Sequence, residues 1–324
     1  MPEQTQAAPE QTHRVAESIT GEMRKAIVGQ DAAIEHMVCA VLAGGHVLLE
    51  GVPGTAKTLM VRALAHVVDC QFTRVQLTPD LMPSDIIGTN VFQMHTSTFE
   101  LRRGPVFTTL LLADEINRAP AKTQSALLEA MQERQVTIDG VLHRLPDLFT
   151  VFATQNPIEY EGTYPLPEAQ LDRFMFKVMV DYPSADSENQ MLLSHHEGFD
   201  PQHLEQAGLQ KVANADAIGV CQEEIQHVVV EEGIISYISA ITRGTRESPT
   251  LLLGCSPRAS VMLLLASKAL AAMRGRGYVI PDDVKYLAFP ALRHRVLLRP
   301  EADIEGLTGD DAIASVLQSL EVPR

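Results

Sequence analysis

The chain of 324 residues contains no tryptophan, and aromatic side chains make up only 5% of it. Single-stranded nucleic acid is held largely by bases stacked on aromatic rings, so a stacking platform is not indicated. Basic residues are also short: 26 Lys plus Arg stand against 41 Asp plus Glu, a formal charge of -15. Long-range repulsion of polyanions disfavours duplex DNA as a partner, although a local basic channel inside a ring stays open. The four cysteines, Cys39, Cys70, Cys221 and Cys255, lie far apart without a CxxC pair or a companion His pattern. That spacing speaks against a zinc site and for buried reduced thiols. No apolar run approaches the roughly 20 residues that span a bilayer, so membrane insertion is not expected. Residues 1–18 are polar, with neither an apolar signal core nor an Arg-rich transit pattern, and read as a flexible leader. A cytoplasmic location follows by elimination.

What is present points to an α/β chain with a large core, 45% of it hydrophobic, and more than one domain. Short apolar stretches at 46–50, 71–77, 109–114, 148–154 and 174–180 alternate with helical patterns at 31–43, 57–68, 121–134 and 167–172. Alternation of this kind builds a doubly wound parallel five-stranded sheet covered by helices on both faces. Beyond residue 183 the strand signal fades. Helices are expected near 185–195, 214–226, 231–243, 258–274, 281–290 and 310–320, forming a C-terminal all-α lid at 184–324. Ser256 as N-cap and Pro257 at the first helical position would start the helix that carries Arg258.

The stretch Gly51, Val52, Pro53, Gly54, Thr55, Ala56, Lys57, Thr58 follows an apolar strand and opens an amphipathic helix. A phosphate-binding loop needs this context: inward backbone N–H groups, a helix N-terminus, a Lys for the outer phosphates and a Thr hydroxyl for magnesium. Ala56 departs from the usual Gly before the Lys, so the loop must accommodate a Cβ there. A Gly-rich turn without nucleotide is the bland alternative. Farther on, three leucines and Ala113 end in Asp114 and Glu115 at the edge where a phosphate site would lie. Asp114 would hold the magnesium shell together with Thr58, and Glu115 would act as general base for water. Asn156, after the next strand, could orient that water; taken alone it reads as a loop Asn before Pro157. Arg173, before the last strand, taken alone reads as an ordinary ion-pair partner.

Val28-Gly29-Gln30, GVPGTAKT, LLLADEINRAP, FATQNP, LPEAQLDRF and Cys255-Ser256-Pro257-Arg258-Ala259, in this order, resemble the MoxR family of AAA+ ATPases. The likeness runs from about residue 20 to the end. It implies an AAA+ P-loop NTPase core at 19–183 with the helical lid behind it. It also implies binding of ATP or ADP with Mg2+, ATP hydrolysis, and assembly into a homo-oligomeric ring, usually a hexamer. By that resemblance, Val28, Gly29 and Gln30 flank the adenine, Asn156 is the first sensor, Arg258 the second, and Arg173 the arginine finger that reaches the adjacent subunit. Partners with von Willebrand factor A-type domains and a chaperone-like role are implied too.

Two inserts match the same branch: residues 87–107 resemble the helix-2 insert, and 135–147 a hairpin before the first sensor, with a turn at Asp139-Gly140. Apolar tips such as Val91-Phe92 would contact a partner, or pack only on neighbouring subunits. His195, His196, Glu197, Asp200 and His203 form a cluster without metalloprotease spacing, which a polar helix end explains as well. A nucleotide-gated scaffold with incidental turnover, and a DNA motor, are the competing functional readings.

Overall fold

The computed structural model describes residues 8–157 and 164–323. Its first half runs α1 (Glu10–Ala26), α2 (Asp31–Leu42), β1 (Val47–Glu50), α3 (Lys57–Val67), β2 (Phe72–Gln76) and α4 (Pro83–Ile87). A hairpin of β3 (Gly88–Gln93) and β4 (Thr98–Arg103) follows, then β5 (Leu110–Asp114) and α5 (Ala121–Glu133). A second hairpin, β6 (Gln135–Ile138) and β7 (Val141–Arg144), leads to β8 (Thr150–Gln155), α6 (Glu168–Leu171) and β9 (Phe176–Met179). The remainder is α7 (Ala185–His196), α8 (Ala215–Gln226), α9 (Glu232–Glu247), β10 (Leu251–Leu253), α10 (Pro257–Met273), α11 (Pro281–Leu292), β11 (Leu297–Leu298), α12 (Pro300–Ile304) and α13 (Gly309–Ser319).

The five apolar strands form one sheet in the order β2-β5-β8-β1-β9, with every pairing parallel. β1 is buried at each of its residues and hydrogen-bonded on both sides, to β8 and β9. Near-continuous Val and Leu runs in β1 and β5 are what a strand covered on both faces requires. The hairpins stand apart from this sheet as two-stranded ribbons. Gly88 at the base of the first has φ +100°, and a Cβ there would meet the Arg102 carbonyl oxygen at 2.4 Å. The second turns at Asp139 (φ 48°) and Gly140 (φ 82°), the left-handed pair that a two-residue hairpin of matching twist needs.

The leader expectation needs correction. Residues 1–7 lie outside the described residues, but from Glu10 onward the chain is helix, and α1 buries Thr12, Ala16, Ile19 and Met23. This stripe faces α8 and α10, so the helix is part of the core. The first turn has no side-chain cap of its own. Glu224 of α8 supplies one instead: its carboxylate accepts the Thr12 N–H at 2.8 Å and the Thr12 hydroxyl at 2.7 Å. An anion at a helix N-terminus is favoured by the orphan N–H groups and the dipole. One apolar cluster joins α1, α2 and α3 to α8, α9, α10 and α11, so the buried core runs across the expected boundary at 183/184. The short strands β10 and β11 pair antiparallel within the region expected to be all helix.

His46 fixes the loop before β1. Its Nε2–H donates to the Met131 carbonyl at 3.0 Å, while Nδ1 accepts the Val151 N–H at 3.0 Å. Burial lowers its pKa from 6.5 to about 4, which keeps the ring neutral. As a test of the role of α1, Met23→Ala, at a side chain that is 0% exposed, is expected to lower unfolding free energy by about 2–5 kcal/mol in denaturant titration. A change below half a kilocalorie would mean that α1 is dispensable.

Candidate functional site

The residues after β1 form a loop whose first glycine is dictated by packing: a Cβ on Gly51 would lie 2.3 Å from the Val180 carbonyl oxygen. Ala56 sits at φ 63°, ψ 17°, the left-handed conformation that Gly would adopt freely. Placing an L-residue there costs roughly 1–2 kcal/mol, strain that the surrounding loop holds in place. Lys57 and Thr58 then open α3. The Lys57 ammonium donates to the carbonyls of Gly51 and Val52, both at 2.7 Å. Burial pulls its pKa below the ordinary lysine range, opposed by the charges of Asp114 and Glu115.

A cleft of about 480 Å³ is lined by Lys57, Thr58, Asp114, Glu115 and Asn156, together with residues 53–56. Thus the loop, the acidic pair at the end of β5 and the amide after β8 meet at the same end of the parallel strands. The Asp114 carboxylate is fixed on both oxygens: Thr154 Oγ1–H donates to Oδ1 at 2.6 Å, and Arg74 Nη2 donates to Oδ2 at 2.6 Å. Thr154 Oγ1 also accepts the Glu115 N–H at 2.8 Å, so one hydroxyl aligns both acids. Glu115 has φ 58°, a second non-glycine in the left-handed region beside this cleft, and its carboxylate pairs with Arg118 at 3.0 Å. An all-oxygen set of Thr58 hydroxyl and Asp114 carboxylate, with Glu115 near, has the hard-donor chemistry that suits a magnesium ion keeping several waters.

An apolar pocket of about 80 Å³ adjoins the loop, lined by Ile27, Val28, Gln30 and Leu59 on one side and Met191, His195 and Phe199 on the other. Gly29 turns the chain here at φ +75°, with Ser187 Oγ 2.6 Å from where its Cβ would stand. Met191 and His195 line both this pocket and the main cleft. Neither stands out in the sequence, where His195 reads as part of a polar helix end. Arg74 was missed as well, since nothing in the run of β2 marks one exposed Arg as the partner of an acid forty residues on.

Arg173 and Arg258 are not brought to the cleft of their own chain. They meet each other in a separate cleft of about 200 Å³, lined also by Gly44, Gly45, His46 and Arg134. Gly44 to His46 precede β1, whereas the phosphate-type loop follows it, so the two clefts lie at opposite ends of that strand. The four residues of β1 span three steps of about 3.3 Å, which puts roughly 10 Å of buried backbone between them. Neither guanidinium has a carboxylate partner among the described residues.

Strand, loop and helix around Lys57, with an acidic pair on the neighbouring strand, define a P-loop nucleotide-binding fold. The ATPase family associated with various cellular activities (AAA) matches residues 46–176, and an AAA lid domain matches residues 243–316. Chaperone MoxR1 of Mycobacterium tuberculosis is 44% identical over 94% of this chain and 81% of its own length. Protein MoxR of Methylorubrum extorquens is 30% identical over 93% of both. A crystal structure from Cytophaga hutchinsonii, provisionally named an ATPase, superposes with a TM-score of 0.88 at 40% identity, covering 97% of this chain and 98% of that one. The chain belongs to the MoxR family of AAA+ ATPases. Nucleotide should therefore stabilise it, by about 2.7 kcal/mol at a ligand concentration of 100 times Kd. Lys57→Ala is expected to abolish the ADP-induced rise in thermal midpoint; a retained rise would place the nucleotide elsewhere.

Proposed function

We propose that this chain is a subunit of a homo-oligomeric ring, six-membered by family resemblance, that hydrolyses ATP and drives chaperone-like remodelling of partner proteins. The observation that carries this reading is the separation of Arg173 and Arg258 from Lys57, Asp114 and Glu115 by the length of β1. A single chain holds two half-sites, which become one complete site when the arginine end of one subunit docks on the cleft end of the next. Apolar surface flanks each half: exposed Leu192 and Leu193 lie on α7, and exposed Val261 lies on α10 one turn from Arg258. Such surface supports burial against a second copy.

In the joined site the adenine lies in the pocket of Val28 and Gln30, and the phosphates lie along the loop from Gly51 to Thr58. Lys57 exchanges its carbonyl partners for the outer phosphates. Magnesium, held by Thr58 and Asp114, would neutralise charge on the phosphate oxygens. Glu115, released from Arg118, takes a proton from the attacking water, and Asn156 orients that water in line with the γ-phosphate. Arg173 and Arg258 from the adjacent subunit stabilise the charge on the transferring group, where a fixed guanidinium fork acts on equatorial oxygens.

The test is turnover per subunit across a wide range of protein concentration, with Glu115→Gln as blank. Turnover that rises with concentration, vanishes in the blank and falls at least a hundredfold in Arg173→Ala is expected, since arginine fingers contribute about 10³–10⁵. Full turnover in Arg173→Ala would remove the shared site, and turnover no higher than the blank at any concentration would favour a nucleotide-gated scaffold.

For the partner, we propose a protein with a von Willebrand factor A-type domain, as the family resemblance implies, gripped by the two hairpins. Phe92 and Phe99 pair at 5.3 Å on an exposed face of the first, and Val141 and Leu142 are exposed on the second. Asn90 Nδ2 donates to Asp139 Oδ2 at 2.8 Å, so the ribbons touch. Replacing Phe92, Phe99, Val141 and Leu142 by Ser is expected to abolish pull-down of such a domain while ATP binding persists. Undiminished pull-down would leave the hairpins as packing surfaces between subunits.

A further inference from the structure

We infer that Asp172 and Ser256 are positioning residues that lock Arg173 and Arg258 together as one two-pronged unit. The inference rests on the shared-site reading above and goes beyond it, because it names what holds the prongs. Asp172 directly precedes Arg173, and Ser256 stands two residues before Arg258, 84 residues away in the chain. Ser256 Oγ–H donates to Asp172 Oδ2 at 2.9 Å, while the same Oγ accepts the Ala259 N–H at 3.4 Å as the cap of α10. Motion of either arginine's backbone therefore pulls on the other.

The other carboxylate oxygen is anchored to the core. Arg295 Nε donates to Asp172 Oδ1 at 2.7 Å, and the Arg295 side chain is 1% exposed. A buried guanidinium is costly unless every donor is satisfied. Here Nη2 donates to the carbonyls of Asp172 at 3.0 Å and Phe174 at 2.7 Å, and Nη1 to that of Met175 at 3.2 Å and also to that of Ala291. Arg295 thus grips residues on both sides of Arg173 and fixes the direction in which it leaves the sheet. Beside Ser256, Cys255 is held in turn: its N–H donates to Thr245 Oγ1 at 2.9 Å and its carbonyl accepts from Arg246 Nε at 2.7 Å. Like charges in one small cleft, which Arg134 also lines, repel each other. The carboxylate between their attachment points, with its rigid backing, opposes their separation and sets a spacing that a γ-phosphate can meet on docking.

The experiment uses full-length subunits. Ser256→Ala is expected to lower kcat about tenfold to a hundredfold, the effect of misplacing a catalytic group by about an ångström, with ATP affinity unchanged. Ser256→Thr, which keeps the hydroxyl, should restore it. Asp172→Asn, which keeps an acceptor for Arg295 and loses the charge, is read the same way should the alanine variant fold poorly. Each variant is then mixed in equal amounts with Glu115→Gln subunits and allowed to assemble. The Glu115→Gln subunit has a silent cleft and sound arginines, so it should rescue turnover in the cleft of a Ser256→Ala neighbour, as it should for Arg173→Ala. Unchanged kcat in both Ser256→Ala and Asp172→Asn overturns the inference, and so does a loss that mixing fails to rescue while Arg173→Ala is rescued. Failure to rescue Arg173→Ala itself overturns the shared-site reading, and the inference with it.

Discussion

The double-sided pairing of β1 is the constraint on which the rest depends. Four buried residues, Val47 to Glu50, are hydrogen-bonded to β8 on one side and β9 on the other. A strand held in this way cannot slide or tilt without breaking two ladders at once, so its ends are fixed relative to the sheet. The phosphate-type loop hangs from one end and the arginine cleft from the other. The strand between them holds the two clefts at a fixed separation.

Charge is placed economically in this frame. Near the sheet, acids and bases are paired with short bonds: Arg74 with Asp114, Arg118 with Glu115 and Arg295 with Asp172. Elsewhere Asp283, 0% exposed, accepts from Arg276 at 2.5 Å and 2.8 Å. Against that background Arg173 and Arg258, which share their cleft with Arg134, are gathered without an acid of their own among the described residues. Two of the left-handed non-glycine residues lie at the nucleotide site. Ala56 and Glu115, left-handed without being glycine, both sit at the nucleotide cleft, where departure from local preference is tolerated because the surrounding fold over-determines it.

The parts that were legible beforehand share a physical property: their signal is contiguous. Strands covered on both faces show as runs of Val and Leu, the loop from Gly51 to Thr58 is a local backbone conformation, and Asp139-Gly140 names its own turn. Where reading failed, the signal was dilute or distant. The first half of α1 reads as part of a flexible leader since residues 10–18 contribute only Thr12 and Ala16 to the buried stripe. Its cap, Glu224, comes from the other half of the chain. β10 and β11, three and two residues long, are too short to carry any periodicity.

From sequence alone came the class of fold, the nucleotide loop and the acidic pair, because those depend on neighbours within a few residues and on the alternation of apolar strands with helices. Only the tertiary structure decided which end of β1 each group occupies, that Arg173 and Arg258 belong together and apart from Lys57, and that Asp172, Ser256 and Arg295 join them. Those pairings span 84 residues in one case and 123 in another. Contacts at such separation are set by how the layers pack, and no local pattern in the chain encodes them.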